Sequence, residues 1–238
     1  MNSMTGKVVL VIAAHPDDPE FGCGATVAKY VSGGAKAYYV ICTNGQRGSR
    51  HHDIDGKKLT EARHKEQKKA ADIIGVTETI FLDHEDGALQ ADMNLKEELV
   101  KIIRKLKPDI IFTHDPSFYY FVREDFSMVN HNDHRETGIA TLDAVYPLAR
   151  DLASFPDHKK LGLTPHNVPM VLLFNFDKPN YLEDVTDTFE TKYKAILEHE
   201  SQVDDAKLTR MWLEKRLSSL GKEISAKYAE GFTKLVLR

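Results

Sequence analysis

A chain of 238 residues with 42% hydrophobic and 29% charged residues has ordinary globular usage, which excludes a disordered or collagen-like chain, and its length suits one α/β domain over residues 1–238. A formal net charge of −4 with pI ≈ 6.3 leaves no electrostatic footprint for nucleic acid or an anionic membrane surface. No run reaches the ~18 apolar residues of a membrane span, and the N-terminus lacks the basic, apolar and cleavage-site regions of a secretory signal, so the cytoplasm is the expected location.

The first apolar run, residues 7–13, is nearly continuous and reads as a strand buried on both faces, as in a parallel sheet. Residues 21–31 carry apolar side chains at helical spacing and stop at Gly33-Gly34, and residues 37–42 repeat the strand pattern, which completes a βαβ unit. Gly22 and Gly24 let this helix approach its neighbours closely, and Cys23 and Cys42, beside these apolar segments, read as reduced structural thiols. A helix over 60–74 is stopped by Gly75, and a strand follows at 79–82. The next helix spans 95–106, with Asn94 and Glu97 spaced as a capping pair, and leads to a strand at 109–113. Residues 115–129 show neither period and read as a loop or lid over a site, or as a packed surface insertion. Beyond them come a helix over 134–149, a connection dotted with Pro156, Pro165 and Pro169, a strand at 171–176, and helices over 188–200 and 206–220. Repeated βα alternation predicts a Rossmann-like, open and mostly parallel sheet with helices on both faces.

One number departs from the ordinary: 11 histidines in 238 residues, an excess that position must explain. Ligands of open α/β sheets bind beyond the carboxyl ends of the strands, where this chain carries polar clusters. The first strand runs into His15-Pro16-Asp17-Asp18, one imidazole and two carboxylates suited to zinc or another borderline divalent metal. The bland alternative is that the aspartates cap a helix whose start Pro19 marks, with His15 a turn residue. A second cluster, His131-Asn132-Asp133-His134, opens a later helix; its histidines are three apart and share a side if the segment is helical. Asp133 can cap that helix, with Glu136 at the capping-box position. His15, Asp18 and one histidine of the second cluster would complete a three-ligand catalytic zinc set, leaving Asp17 and the other histidine as acid and base groups.

The segment Ala14-His15-Pro16-Asp17-Asp18-Pro19-Glu20 resembles the AHPDDxE signature of the LmbE-like, or PIG-L, family of zinc-dependent N-acetylglucosaminyl de-N-acetylases, and His131-Asn132-Asp133-His134-Arg135 resembles its second motif. The likeness extends through Thr43-Asn44-Gly45, Arg63 and Glu66, Phe112 to Pro116, His199 to Gln202 and Tyr228 to Phe232, which covers nearly the whole chain. The resemblance implies that His15, Asp18 and His134 bind zinc (Zn2+), that Asp17 is general base, and that His131 is general acid or oxyanion stabiliser. Asp133 would orient His131 and favour its charged form. Arg63, Asp86 and Asn44 are expected toward the sugar, although Arg63 could instead pair with Glu66 on a helix surface. His114 and His199 are candidates for supporting groups, whereas His51, His52, His64, His84, His158 and His166 read as surface residues.

The implied reaction removes the N-acetyl group of a small amino-sugar substrate or its glycoside and releases acetate. No nucleic acid or membrane partner is expected; a homo-oligomer, trimer or hexamer, is implied by the resemblance alone. The aromatic stretch Phe118 to Phe121 could stack on a sugar or close a subunit contact. Competing readings are a zinc amidase or esterase on a non-sugar substrate, a noncatalytic metal-binding protein, and a nucleotide-binding module. The last is weakened because the first strand leads to His-Pro-Asp-Asp and not to a GxGxxG phosphate loop.

Overall fold

In this computed structural model, which describes residues 3–49, 55–122, 127–174 and 178–238, the first apolar run forms strand β1 (Val8–Ala13) in the middle of a seven-stranded sheet. It runs parallel to β2 (Lys36–Thr43) on one side and β4 (Ile110–His114) on the other, with β3 (Glu78–His84) beyond β2 and β7 (Met170–Phe174) beyond β4. Two strands that periodicity did not announce complete the far edge: β9 (Ala229–Val236) lies antiparallel on β7, and β8 (Tyr181–Asp184) lies antiparallel on β9. The order is β3-β2-β1-β4-β7-β9-β8, an open and mostly parallel sheet. β9 escaped notice because its buried end reads Ala229-Glu230-Gly231-Phe232, where small and charged residues replace an apolar run.

The continuous apolarity of β1 follows from its place between two helical layers. Val9 and Val11 face a core shared with Val27 of α1 (Asp18–Ser32), Ile74 of α2 (Gly56–Ile74) and Ala195 of α5 (Phe189–Leu197). Leu10 and Ile12 face Leu95, Leu99 and Ile103 of α3 (Met93–Leu106) and Ala140 of α4 (Asn132–Asp143). Helix α6 (Ala206–Glu223) packs Leu213 and Leu217 against Phe189 and Tyr228. Gly75 ends α2 in the left-handed conformation, as its position suggested. Gly22 lies so close to the Phe174 ring that a Cβ there would sit 2.9 Å from it.

Several expectations need correction. Helix α3 is capped by Asp92, whose Oδ1 accepts the Leu95 N–H at 2.9 Å; Asn94 lies inside the first turn and cannot serve. Helix α4 does not run to residue 149: Tyr146, pushed to φ −145° and ψ 122° ahead of Pro147, breaks the helical backbone. Within 115–129, β5 (Tyr120–Val122) and β6 (Ser127–Val129) form a small hairpin, with residues 123–126 outside those described. His158 is buried, not at the surface, with its Nδ1 3.2 Å from Arg104 Nη1. His51, His52 and the end of the strand expected at 171–176 lie outside the described residues.

Candidate active site and metal centre

The strand order reverses between β1 and β4, so the crevice beyond their carboxyl ends is the topological switch point at which open sheets bind ligands. His15 leaves β1 there and His114 ends β4, joined by the Ala14 N–H donating to His114 Nε2 at 3.1 Å. The N-terminus of α1 brings Asp17 and Asp18, and the N-terminus of α4 brings His131, Asp133 and His134.

Three donors converge. His15 Nδ1 lies 3.3 Å from His134 Nε2 and 3.3 Å from Asp18 Oδ2, and His134 Nε2 lies 3.2 Å from Asp18 Oδ1. Zinc with ligands at ~2.0–2.1 Å in a tetrahedron spaces its donors by about 3.3 Å, which matches the His15–His134 and His134–Asp18 Oδ1 separations, and imidazole and carboxylate donors suit the ion; Asp18 Oδ2 accepts the His15 backbone N–H at 2.7 Å, which leaves Oδ1 as the ligand atom. The other ring nitrogen of His15 faces carboxylates: Nε2 is 3.1 Å from Asp133 Oδ2 and 3.3 Å from Asp86 Oδ1. Donation from Nε2–H to a carboxylate leaves Nδ1 as the lone-pair atom, the arrangement that orients metal-binding histidines. A second grouping, His15, Asp86, His131 and Asp133, also has donors within 4.8 Å. It suits an ion less well, because Asp133 is already occupied by the N–H groups of Gly87 (2.7 Å) and Leu89 (3.2 Å).

Asp133 differs from expectation in two respects. His131, not Asp133, caps α4, its Nδ1 accepting the Asp133 N–H at 3.2 Å, and Glu136 turns instead to the Ala91 N–H at 2.7 Å. The Asp133 carboxylate serves His15 and stays 4.0 Å from His131 Nδ1, so it does not hold His131 charged. Burial and the neighbouring His15 and His134 push the His131 pKa down, outweighing Asp133 and Asp86. With Nδ1 accepting a hydrogen bond, a neutral His131 carries its proton on Nε2, and its ring is half exposed. Burial, with His134 beside it, likewise lowers His114 to about 4, keeping neutral a ring that stacks on His134 at 4.1 Å.

Asp17 turns at φ 105°, a left-handed conformation that costs a non-glycine residue of order 1–3 kcal/mol and persists only where neighbours enforce it. Burial, with Asp18 adding to it, raises its carboxyl to about 6 against the opposing charge of Arg63. Arg63 is buried, with Nη2 donating to Pro16 O at 2.7 Å and to Asp17 Oδ2 at 3.4 Å and Nη1 to Gly45 O at 3.1 Å. The alternative surface pair with Glu66 does not form, since Glu66 accepts from the Ser201 N–H and hydroxyl. Asn44 Oδ1 accepts the Gln46 N–H at 3.1 Å, and Asp86 Oδ2 accepts the Arg47 N–H at 2.9 Å. Asn44 therefore shapes the loop after β2, and Asp86 ties that loop to His15. His199 is buried against Glu20 at 3.1 Å and not within the donor cluster. Gln67, which sequence reasoning missed, donates to Glu20 and accepts from Asp17; its spacing of four from Arg63, placing both on one face of α2, was the available signal.

Residues 87–92 of the loop before α3, with Asn132 and Glu136 of α4, line an open trough of about 620 Å³. Comparison with known proteins agrees with this geometry. The profile of the PIG-L family, described as GlcNAc-PI de-N-acetylase, matches residues 10–145, from β1 through the donor-bearing α4. The chain belongs to the PIG-L family. Membership makes it a hydrolase of the deacetylase type. The diacetylchitobiose deacetylase of Thermococcus kodakarensis is 33% identical over 231 residues, 94% of this chain and 82% of the relative. A 1D-myo-inositol 2-acetamido-2-deoxy-alpha-D-glucopyranoside deacetylase from Thermomonospora curvata is 32% identical over 66% of this chain, which spans only 56% of that relative. Among solved structures, the N,N'-diacetylchitobiose deacetylase from Pyrococcus horikoshii, in complex with its inhibitor, superposes with a TM-score of 0.87 at 32% identity, covering 97% of this chain and 84% of that one. The fold shared with that structure is built on an open sheet, not a closed barrel.

Proposed function

We propose that this PIG-L protein is a zinc-dependent hydrolase that removes the N-acetyl group from an N-acetylglucosamine-type sugar or small glycoside, giving acetate and a free amino sugar. The carrying observation is the convergence of His15, Asp18 and His134, whose nearest nitrogen and oxygen atoms lie 3.2–3.3 Å apart, with the partly buried Asp17 next to them in the chain. These three residues would hold a divalent ion, which when bound would supply Lewis-acid polarisation of an amide carbonyl and acidify a water, the chemistry amide hydrolysis needs. Asp17, with its carboxyl near 6, is ionised at neutral pH and accepts the proton of the attacking water. The same carboxyl then returns that proton to the leaving nitrogen. His131, neutral and half exposed, presents Nε2–H to the amide oxygen as negative charge grows there, so oxyanion stabilisation suits it better than general acid catalysis. Asp133 holds His15 in the ligating tautomer. Asp86 and Asn44 build the wall of the sugar site through the loops they hold, and Arg63 supports it from beneath.

The sheet supports reading residues 1–238 as one domain, because strands from both ends of the chain belong to the same sheet. Cytoplasmic residence is supported by two buried, unpaired cysteines, and among the described residues no helix is long and apolar enough to cross a membrane. Exposed Tyr119, Tyr120, Val122 and Val129 on the β5–β6 hairpin support self-association, which light scattering would read directly.

Acetate release measured across N-acetylglucosamine, its disaccharide and small glycosides, with and without added zinc, tests the proposal. Zinc-restored release from at least one of them is expected. Asp17→Asn should keep stoichiometric zinc and lose acetate release, and His134→Ala should lose both. Wild-type activity in Asp17→Asn sinks the base, and purified protein that neither retains zinc nor responds to it sinks the site.

A further inference from the structure

We propose that Gln67 is a positioning residue for the Asp17 carboxylate, acting with Arg63 as a two-point clamp on the Pro16–Asp17 peptide. The inference rests on the reading of Asp17 as proton acceptor.

The Asp17 N–H precedes the first turn of α1 and has no partner within the helix. It donates to Gln67 Oε1 at 2.8 Å, while the carbonyl at the other edge of the same peptide, Pro16 O, accepts from Arg63 Nη2 at 2.7 Å. Both clamps come from one face of α2, one turn apart. The orientation of the Gln67 amide follows from what lies behind it. Its Nε2 is 3.0 Å from each Glu20 oxygen, and a carboxylate only accepts, so the NH2 faces Glu20 and the oxygen faces Asp17. Glu20 is fixed in turn by His199 Nε2–H at 3.1 Å, and Glu20, Gln67 and His199 are all fully buried.

This arrangement matters because the Asp17 carboxylate has little else to aim it. Among the described residues its only hydrogen-bonding side chain is Arg63, at 3.4 Å. Its direction is set by a left-handed backbone that the residue would not adopt unaided. Releasing the N–H edge frees the peptide plane to rotate about the Arg63 contact and swings the carboxylate away from the reacting water.

The test uses full-length, zinc-loaded protein. Gln67→Met keeps the volume and removes the acceptor. Its kcat is expected to fall about 10- to 100-fold, as misplacement of a catalytic group by about 1 Å costs, with KM within about twofold and bound zinc unchanged. Hydrogen exchange at the Asp17 amide should accelerate about 10-fold or more, a readout independent of activity. The swap Gln67→Glu with Glu20→Gln restores an acceptor under the Asp17 amide and a donor between positions 20 and 67, and is expected to recover most of the lost kcat. It also carries the test should Gln67→Met fold poorly. A lowered melting temperature with wild-type kcat in Gln67→Met gives Gln67 a purely structural role and overturns the proposal while the base reading stands. Wild-type kcat in Asp17→Asn removes the base reading, and the positioning role with it.

Discussion

Breaking the buried ion pair between α5 and β9 should cost this protein far more than the pair itself contributes. Lys192 is 1% exposed and Glu230 3%, with Nζ 2.5 Å from Glu230 Oε1 and 2.8 Å from the Phe21 carbonyl; Glu230 also accepts the N–H groups of Ala25 (3.3 Å) and Thr26 (2.8 Å). The attraction at that separation is about 6–7 kcal/mol at an effective dielectric of 20. Desolvation costs several kcal/mol per ion, so the intact pair is close to neutral, whereas removing one partner strands a buried charge and costs about 3–5 kcal/mol. Lys192→Met is therefore expected to lower stability by that amount, a fall in melting temperature of about 6–20 °C for a chain of this size. Lys192→Met with Glu230→Gln should recover most of the loss, because the amide oxygen still accepts from Thr26 and no charge is stranded. Urea melts and calorimetry of both variants read the two values. A loss below about 1 kcal/mol in the single variant, or a double variant no better than the single, would refute the stranded-charge reasoning.

Other outcomes follow from equally specific contacts. Asp133→Asn should weaken zinc binding about 10- to 100-fold in a competition titration, because the carboxylate that fixes the His15 tautomer is lost while the donors remain. Gly22→Ala gains about 1 kcal/mol of helix propensity but drives a Cβ to 2.9 Å from the Phe174 ring, which costs about 1–3 kcal/mol, so urea melts should show no gain and a net loss of up to about 2 kcal/mol. Asp109 holds Lys7 at 2.7 Å and the Val8 N–H at 2.9 Å; although burial would raise its carboxyl, these bonds prevail and its pKa is lowered. Its contribution is present above the ordinary value near ~3.9 and is lost as pH falls through the lowered folded value, so Asp109→Asn should cost about 1 kcal/mol at neutral pH and progressively less in acid.

How much of this was readable from the chain alone depends on the range of the forces concerned. Local order was legible: the unbroken apolar run of β1, the Gly75 stop of α2, and the alternation that yields a parallel sheet are short-range consequences of burial and backbone freedom. The donor residues were legible too, because His15 to Asp18 and His131 to His134 are compact clusters whose residue types suit a divalent metal. The break at Tyr146 follows from a local rule about the residue before proline, which the helix expected over 134–149 left unapplied.

The partners of those residues were not legible. That the Asp133 carboxylate serves His15 and not its near neighbour His131 depends on how the end of β1 meets the start of α4, residues 118 apart in the chain. That Glu230 is buried and tolerated depends on Lys192 reaching it from another helix, which also hides β9 from any search for apolar alternation. The backbone of Asp17 is held by Gln67, and Gln67 by Glu20 and His199, a chain spanning α1, α2 and the turn after α5. The amino-acid order by itself determined the layers of the fold and the chemistry available at the strand ends. Tertiary packing alone decided which nitrogen of each histidine is free to ligate and where each carboxylate points, because hydrogen-bond direction is set by groups distant in the chain.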